Sequence, residues 1–485
     1  LQAIARCLEQ GRQALVLIPE IGLTPQTLSR FHQRFDARIE VLHSGLGDRE
    51  RELTWHAARE GLAHIVIGTR SGVFTPLANP GLIVVDEEHD GSYKQQDGFR
   101  YSARDLAVKR AQLEHCTVVL GSATPSLESL QNATSGRYRH HHLTRRAGDA
   151  AMPHINAIDV RGQALQGGLS DSLRASVASA LDAGSQVLLF LNRRGYATAL
   201  QCHDCGWVAD CRACDARLTV HRRQRRLRCH HCGASETLPT QCPGCRSVRL
   251  LTNGLGTEQA EDALRQEFTR WPIHRVDSDS MQGRGAMAAL AEAVGTGEPC
   301  ILVGTQMLSK GHHFPGVQLV GVLDADALLF SADFRGEERM AQLLTQVAGR
   351  AGREQRRGSV LLQTHHPDHP ALQAMLIQTY GQRARAMLEE RRQSGLPPAG
   401  HLVLIRCDSA DASAAEGFLQ QLRRRCADAS RALTVIGPLP SALPRRAGKF
   451  RFHLTLLAAS RGAVHRATAH MVAAAGQLKA RGDLR

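Results

Sequence analysis

The sequence predicts an α/β protein with two parallel-sheet lobes, a cysteine-rich module inserted in the second, and a small α+β domain at the end. Three observations lead there. Short, almost continuously apolar runs alternate with helical patterns over residues 1–135, and a second such array starts at Asp171. Eight of the thirteen cysteines fall between Cys202 and Cys245, inside that second array. Beyond about Thr379 the element order changes. A chain of 485 residues is also too long for one hydrophobic core and fits about three domains.

In the first array, residues 14–18, 65–67, 82–85 and 117–120 read as buried parallel strands, each ending in polar or glycine-rich residues. Residues 24–35 and 103–113 carry helical patterns between them. Residues 136–170 are polar and aperiodic, and are expected to be a linker. The patch His140-His141-His142 there reads as a solvated run rather than a metal site. The second array opens with a helix at Asp171 and a strand at 187–191, then resumes near Leu251 with strands at 300–303, 319–323 and 359–363. Lobe two is therefore expected over 171–200 and 251–378, with the insertion at 201–250. Residues 379–485 show a helix, strand, helix and hairpin-like order (from about 379, then 402–407, 415–427, 434–438 and 450–457), expected for a separate α+β domain.

Sixty basic residues against 46 acidic ones give a net charge of +14, and only five of the basic residues are Lys. GC-rich coding accounts for much of that Arg bias, but the charge still favours a polyanionic partner, because a basic surface binds phosphates by releasing counterions. No apolar run reaches the ~18 residues of a membrane span, and no stretch has signal-peptide order. With no export signal, clustered cysteines point to metal ligation in a reducing compartment rather than to disulfides.

The cluster consists of four Cys-x-x-Cys pairs: Cys202/Cys205, Cys211/Cys214, Cys229/Cys232 and Cys242/Cys245. Each pair sets two thiolates on one side of a tight loop, and two such knuckles form the tetrahedral S₄ cage preferred by Zn²⁺. Two structural zincs per chain are expected. The 14 residues between the second and third pairs fit a β-hairpin closing one site, which leaves the first and fourth pairs for the other. That hairpin carries Arg217, Arg222, Arg223, Arg225, Arg226 and Arg228, which read as a nucleic-acid or partner surface.

The strand at 82–85 runs into Asp86-Glu87-Glu88-His89. An apolar strand ending in paired acids suits nucleotide hydrolysis: Asp86 to hold a Mg²⁺ shell, Glu87 to orient a water. The next strand ends in Gly121-Ser122-Ala123-Thr124-Pro125, which fits a motif coupling hydrolysis to strand movement. In the second array, a helical segment carries Gln346, Arg350 and Arg353. Two arginines three residues apart on one helix face can reach into a cleft between lobes and neutralise a γ-phosphate.

In this order the motifs resemble a superfamily-2 helicase with two RecA-like lobes. The match extends to Pro19-Glu20-Ile21-x-Leu23-Thr24, His43-Ser44-Gly45, Gly68-Thr69-Arg70-Ser71-Gly72, the whole of 86–97, and Lys310-Gly311-His312-His313-Phe314-Pro315. With four cysteine pairs in lobe two, the chain resembles the bacterial primosomal helicase family, PriA, over essentially its full length. The resemblance implies an ATP- and Mg²⁺-dependent 3′→5′ helicase that recognises abandoned replication forks, unwinds the lagging arm and helps reload the replicative helicase. It implies forked and single-stranded DNA, primosome proteins and single-stranded DNA-binding protein as partners, and a cytoplasmic, nucleoid-associated location. Asp86 and Glu87 would serve Mg²⁺ and water, and Gln346, Arg350 and Arg353 the γ-phosphate. Arg70 and Thr124 would lie near DNA-facing and coupling motifs. Tyr93, Phe99 and Tyr101 resemble the family's aromatic-rich loop, whose rings would stack on bases.

No Gly-x-x-x-x-Gly-Lys-[Ser/Thr] loop occurs in the chain, and Leu1-Gln2-Ala3-Ile4 reads as a helix already under way. In the family the phosphate loop immediately precedes such a helix, so the sequence is expected to be a fragment cut just after it. Two other readings remain at this stage, a different superfamily-2 translocase or a non-hydrolysing zinc-containing DNA-binding module. The cysteine insertion speaks against the first and the acidic and arginine motifs against the second.

Overall fold

The computed structural model describes residues 1–19, 25–143, 153–191, 199–213, 217–221, 225–229, 233–251, 257–276, 280–281, 286–305, 314, 316–331, 333–352, 357–426 and 433–478. Lobe one is a five-stranded parallel sheet in the order Ile39–Leu42, Ile65–Gly68, Gln13–Leu17, Pro80–Val85, Thr117–Leu120. Period-two alternation splits its strands between two cores. Leu15, Leu17, Ile83 and Val85 face helices Asp48–Arg59 and Ala103–Leu113, whereas Ala14, Val16, Ile65 and Ile67 face Ile4, Cys7, Phe31 and Phe35 of the opposite layer. Ala103, Ala107 and Ala111, one helical turn apart, give the sheet a flat small-residue face to pack on.

Lobe two is a six-stranded parallel sheet in the order Ile273–Val276, Ile301–Gly304, Gln186–Phe190, Val317–Val322, Ser359–Thr364, His154–Asp159. The last strand corrects the expected linker at 136–170. It is a half-exposed edge strand, so its composition is polar and it lacks the continuous apolar run by which the central strands announce themselves. The expected boundary at 379 also moves. Helix Tyr380–Gln393 buries Ala384, Met387 and Leu388 in the lobe-two core, and the separate C-terminal sheet begins at His401. There His401–Ser409 and Thr434–Arg446 flank Lys449–Ala458 antiparallel, with helices Ala412–Cys426 and Arg461–Gln477 packed on the sheet.

The cysteine module leaves and rejoins lobe two through one short ladder, Gln201–Cys202 against Leu250–Leu251. Its hairpin pairs Leu218–His221 with Arg226–Cys229, and Ser235–Thr237 adds a third strand. A different element joins the lobes. Helix Leu127–Thr134, the seam helix, follows the Gly121–Pro125 motif, and its Leu127 and Leu130 lie in the lobe-two core with Phe190 and Leu344.

Candidate nucleotide cleft and metal centre

Strand Pro80–Val85 delivers Asp86 to the carboxyl edge of the lobe-one sheet, where ligands of open α/β sheets bind. The Asp86 amide is held by the Leu17 carbonyl at 2.9 Å, and its Oδ1 accepts the Glu87 amide at 3.1 Å. Asp86 is exposed at the sheet edge, yet the packed strand ends around its carboxyl raise it above its ordinary range, partly offset by that amide. Such a carboxylate gains from a cation. Glu87 takes a left-handed turn, φ 47°, which changes the chain direction at the sheet edge.

The next two residues bind the lobes together. Glu88, 2% exposed, accepts from the Ser126 amide at 2.7 Å and from the Ser126 and Ser129 hydroxyls at 3.0 and 2.8 Å. Arg104 approaches the same carboxylate at 3.2 Å. His89 Nδ1 lies 2.7 Å from Ser122 Oγ, and its Nε2 lies 2.7 Å from the Gln346 amide nitrogen and 3.5 Å from Thr124 Oγ1. Thus Gln346, at the end of helix Gly336–Ala348, meets the acidic motif across the seam. Thr124 is fully buried, and its carbonyl accepts from Gln342 of the same helix. Arg350 follows in the next turn, its amide bonded to the Val347 carbonyl at 2.9 Å; Arg353 lies outside the described residues.

Composition did not reveal Glu338, Arg335 or Tyr380. Glu338 caps the seam helix by accepting the Leu127 amide at 3.0 Å, Arg335 pairs with Glu128 at 2.7 Å, and the Tyr380 hydroxyl donates to the Pro125 carbonyl at 2.6 Å. Arg335 and Glu338 are three residues apart at the start of one helix, which places them on one face, whereas Tyr380 opens a different helix and carries no such signal.

The aromatic loop divides in two. Tyr93 is 2% exposed, with its hydroxyl on the Leu17 and Asp86 carbonyls, so it is a core residue that braces the acidic strand and not a base-stacking ring. Phe99 is 76% exposed and stacks at 5.8 Å on Tyr101. Phe74, which the sequence reading missed, packs edge-on to Tyr101 at 4.8 Å and is itself half exposed. Arg70 donates to the Ser92 carbonyl at 3.0 Å and sits beside this loop.

Cys202, Cys205, Cys242 and Cys245 bring four sulfurs within 4.8 Å of one another. The Cys202–Cys245 and Cys205–Cys242 sulfur separations are both 3.6 Å. A tetrahedron with Zn–S near 2.3 Å has an edge of about 3.8 Å, so the donor set fits zinc. The set joins the first and fourth pairs. Cys211 and Cys229 are buried together in the ribbon core, while Cys214 and Cys232 lie outside the described residues. The arginine hairpin needs a correction at Arg217. That side chain pairs with Asp210 and lies 5.2 Å over the Phe330 ring of lobe two, so it seats the ribbon rather than facing a partner. Arg226 bonds Ser235; Arg222 and Arg223 lie outside the described residues.

Family models match in three places: DEAD/DEAH box helicase over residues 1–133, PriA DNA helicase Cys-rich region over 211–236, and primosomal protein N C-terminal domain over 392–485. Replication restart protein PriA of Haemophilus influenzae is 48% identical over 472 residues, 96% of this chain and 64% of that protein. Its namesake in Bacillus subtilis is 38% identical, over 94% of this chain and 57% of its own length. The Rickettsia conorii protein of that name is 36% identical, over 94% of this chain and 70% of its own. The chain thus spans less than two thirds of the first two relatives. No helix among the described residues is long and apolar enough to cross a membrane. With a helicase-model lobe, a matching Cys-rich region and a relative matched over 70% of its length, the chain belongs to the family of replication restart protein PriA.

Proposed function

We propose that the chain is the two-lobed motor, with its ribbon and C-terminal domain, of an ATP-dependent 3′→5′ DNA helicase acting in replication restart. In the whole protein it would recognise stalled or collapsed forks, unwind the lagging arm and start primosome assembly. The observation that carries this is the junction of Asp86-Glu87-Glu88-His89 with Gln346, which joins an acidic strand end in one lobe to helix Gly336–Ala348 of the other.

In this reading Mg²⁺ bound to ATP supplies charge neutralisation at the β- and γ-phosphates. Asp86 offers the carboxylate at the strand end that would hold the ion, and Glu87 at its left-handed turn orients the attacking water. Gln346, Arg350 and Arg353 sense the γ-phosphate, the two arginines by neutralising charge that develops on it and Gln346 by a hydrogen bond. His89, between Ser122, Thr124 and Gln346, passes a change at the phosphates to the strand-coupling motif and to the seam helix. Two zincs hold the ribbon, one on Cys202, Cys205, Cys242 and Cys245, the other on Cys211, Cys214, Cys229 and Cys232. Arg70, Phe99 and Tyr101 contact single-stranded DNA, and the +14 charge favours the phosphate backbone. Forked DNA, primosome proteins and single-stranded DNA-binding protein are the partners, in the bacterial cytoplasm and its nucleoid.

The test compares the 485-residue chain with a protein extended upstream by its native residues. The chain alone binds single-stranded DNA with a negative slope of log affinity against log salt and shows no DNA-stimulated ATP hydrolysis; the extended protein hydrolyses ATP faster as DNA is added. An extended protein without DNA-stimulated turnover would reject the motor reading.

A further inference from the structure

The ribbon is seated on lobe two by three contacts, two of them on His365 and one on Phe330. Gly206, in the first cysteine knuckle, takes φ +75°, and a Cβ there would stand 2.8 Å from the His365 carbonyl oxygen. The knuckle backbone therefore touches the end of strand Ser359–Thr364 with no room for a side chain. His203, beside the zinc ligand Cys202, lies 2.9 Å from His365 through Nδ1 and 2.7 Å from the Gln163 carbonyl through Nε2. His365 Nδ1 in turn lies 2.8 Å from Asp326, whose carboxylate also accepts the His365 amide at 2.9 Å and the Gln201 amide at 3.2 Å. The third contact is the Arg217 guanidinium over Phe330, whose ring also packs edge-on against His366 at 4.4 Å and His369 at 5.6 Å.

Asp326 and Phe330 begin a strap that ends at the lobe seam. After helix Asp326–Leu329 and Phe330, the chain reaches Phe334, whose ring is sandwiched by the guanidinium groups of Arg335 at 4.4 Å and Arg391 at 4.6 Å. Arg391 also donates to the Phe334 carbonyl at 2.6 Å, and Arg335 reaches Glu128 of the seam helix. One end of the strap is thus held by the ribbon and the other by lobe one. Its contacts are buried hydrogen bonds and ring stacks, which have discrete arrangements rather than a continuum of them.

We propose that occupation of the Cys202, Cys205, Cys242 and Cys245 site by zinc is read out at the lobe seam through residues 326–335, with Phe330 and His365 as positioning residues. This rests on the zinc reading above. Without the metal the knuckle loses the geometry that presents His203 and Gly206 to His365, and through His365 the strap loses its hold at Asp326.

Hydrogen exchange on the 485-residue chain, with zinc measured in the same samples, tests this. Cys245→Ser, holding one zinc fewer, should exchange peptides spanning 326–335 at least tenfold faster, while strands Ile273–Val276 and Ile301–Gly304 keep their protection. Phe330→Leu should loosen the strap in the same way with zinc content unchanged, and Phe330→Tyr should restore it, because a ring and not mere bulk is required. A strap within twofold of the parent after zinc loss overturns the proposal, as does a strap that loosens only together with both strands. Phe330→Leu behaving as the parent overturns the role of the ring. A parent chain that binds no zinc at all would instead remove the metal reading itself.

Discussion

Glu88 should matter more to the motor's integrity than the two acids before it. Its side chain is 1% exposed and collects four donors: the Ser126 amide, two hydroxyls and Arg104. Removing one partner of a buried ion pair costs about 3–5 kcal/mol. Arg104 keeps Asp105 at 2.9 Å and Ser126 Oγ at 2.7 Å, and the freed hydroxyls can turn, so Glu88→Ala should fall at the low end, about 3 kcal/mol. Glu88→Gln keeps an acceptor for the Ser126 amide and loses the charge, for about 1.5 kcal/mol. At 1.4 kcal/mol per tenfold, native-state exchange of the seam helix and of helix Ala103–Leu113 should accelerate roughly a hundredfold in Glu88→Ala and roughly tenfold in Glu88→Gln. Exchange in Glu88→Ala within threefold of the parent would refute the hub, and equal losses in both variants would refute the role given to the Ser126 amide.

Four further outcomes follow from the same geometry. Metal analysis of reduced protein should return two zincs per chain, and substituting Cys211 or Cys229 should unfold the ribbon while the lobes stay folded, as circular dichroism and limited proteolysis would show. In the upstream-extended protein, Arg353→Ala should lower ATP hydrolysis ~10³-fold or more with DNA binding largely kept; a rate within about tenfold of the parent would reject the arginine's role. Burial, with Arg406 nearby, lowers His453 to about 4, so between that value and the ordinary 6.5 the unfolded chain holds the extra proton. The C-terminal domain should therefore be most stable above pH 6.5 and lose stability as pH falls toward 4, and His453→Gln should flatten that slope in urea titrations. Phe74→Ala and Phe99→Ala should each weaken single-stranded DNA binding by about 1–3 kcal/mol in fluorescence titrations, whereas Tyr93→Phe should leave it unchanged.

What the sequence disclosed depended mainly on how many faces an element buries, although Thr117–Leu120 reads as a buried apolar run and is a partly exposed edge strand. Strands such as Ile65–Gly68 and Gln186–Phe190 are covered on both faces and read as apolar runs. The edge strand His154–Asp159 and the partly exposed Ile39–Leu42 do not, and neither was expected. The cysteine spacing was legible because a metal cage demands fixed local geometry, and the first and fourth pairs do meet. The aromatic loop shows the opposite limit. Tyr93 and Phe99 stand six residues apart in similar polar surroundings, yet one is in the core and the other in solvent, since composition carries no record of which way a loop turns. Glu338 was equally hidden, because its partner amide at Leu127 lies 211 residues away.

The seam gives those long-range contacts a common consequence. The first turn of helix Leu127–Thr134 receives a carboxylate from each lobe, Glu88 at the Ser126 amide and Glu338 at the Leu127 amide, which suits the positive end of a helix. Glu88 is one residue from His89, and Glu338 lies on the helix that carries Gln346. Any rotation of one lobe against the other has to break Gln346 to His89, together with either the Glu88 bonds to Ser126 and Ser129 or the Glu338, Arg335 and Tyr380 bonds to residues 125–128, according to which lobe carries the seam helix. Most of these are hydrogen bonds to buried or charged groups, so a partly opened seam would leave several unpaired at about 1–3 kcal/mol apiece. Intermediate openings are therefore disfavoured relative to fully closed and fully open arrangements. A change at His89 then acts on the whole seam at once, which is the property a motor needs if a small displacement at a phosphate is to move a lobe.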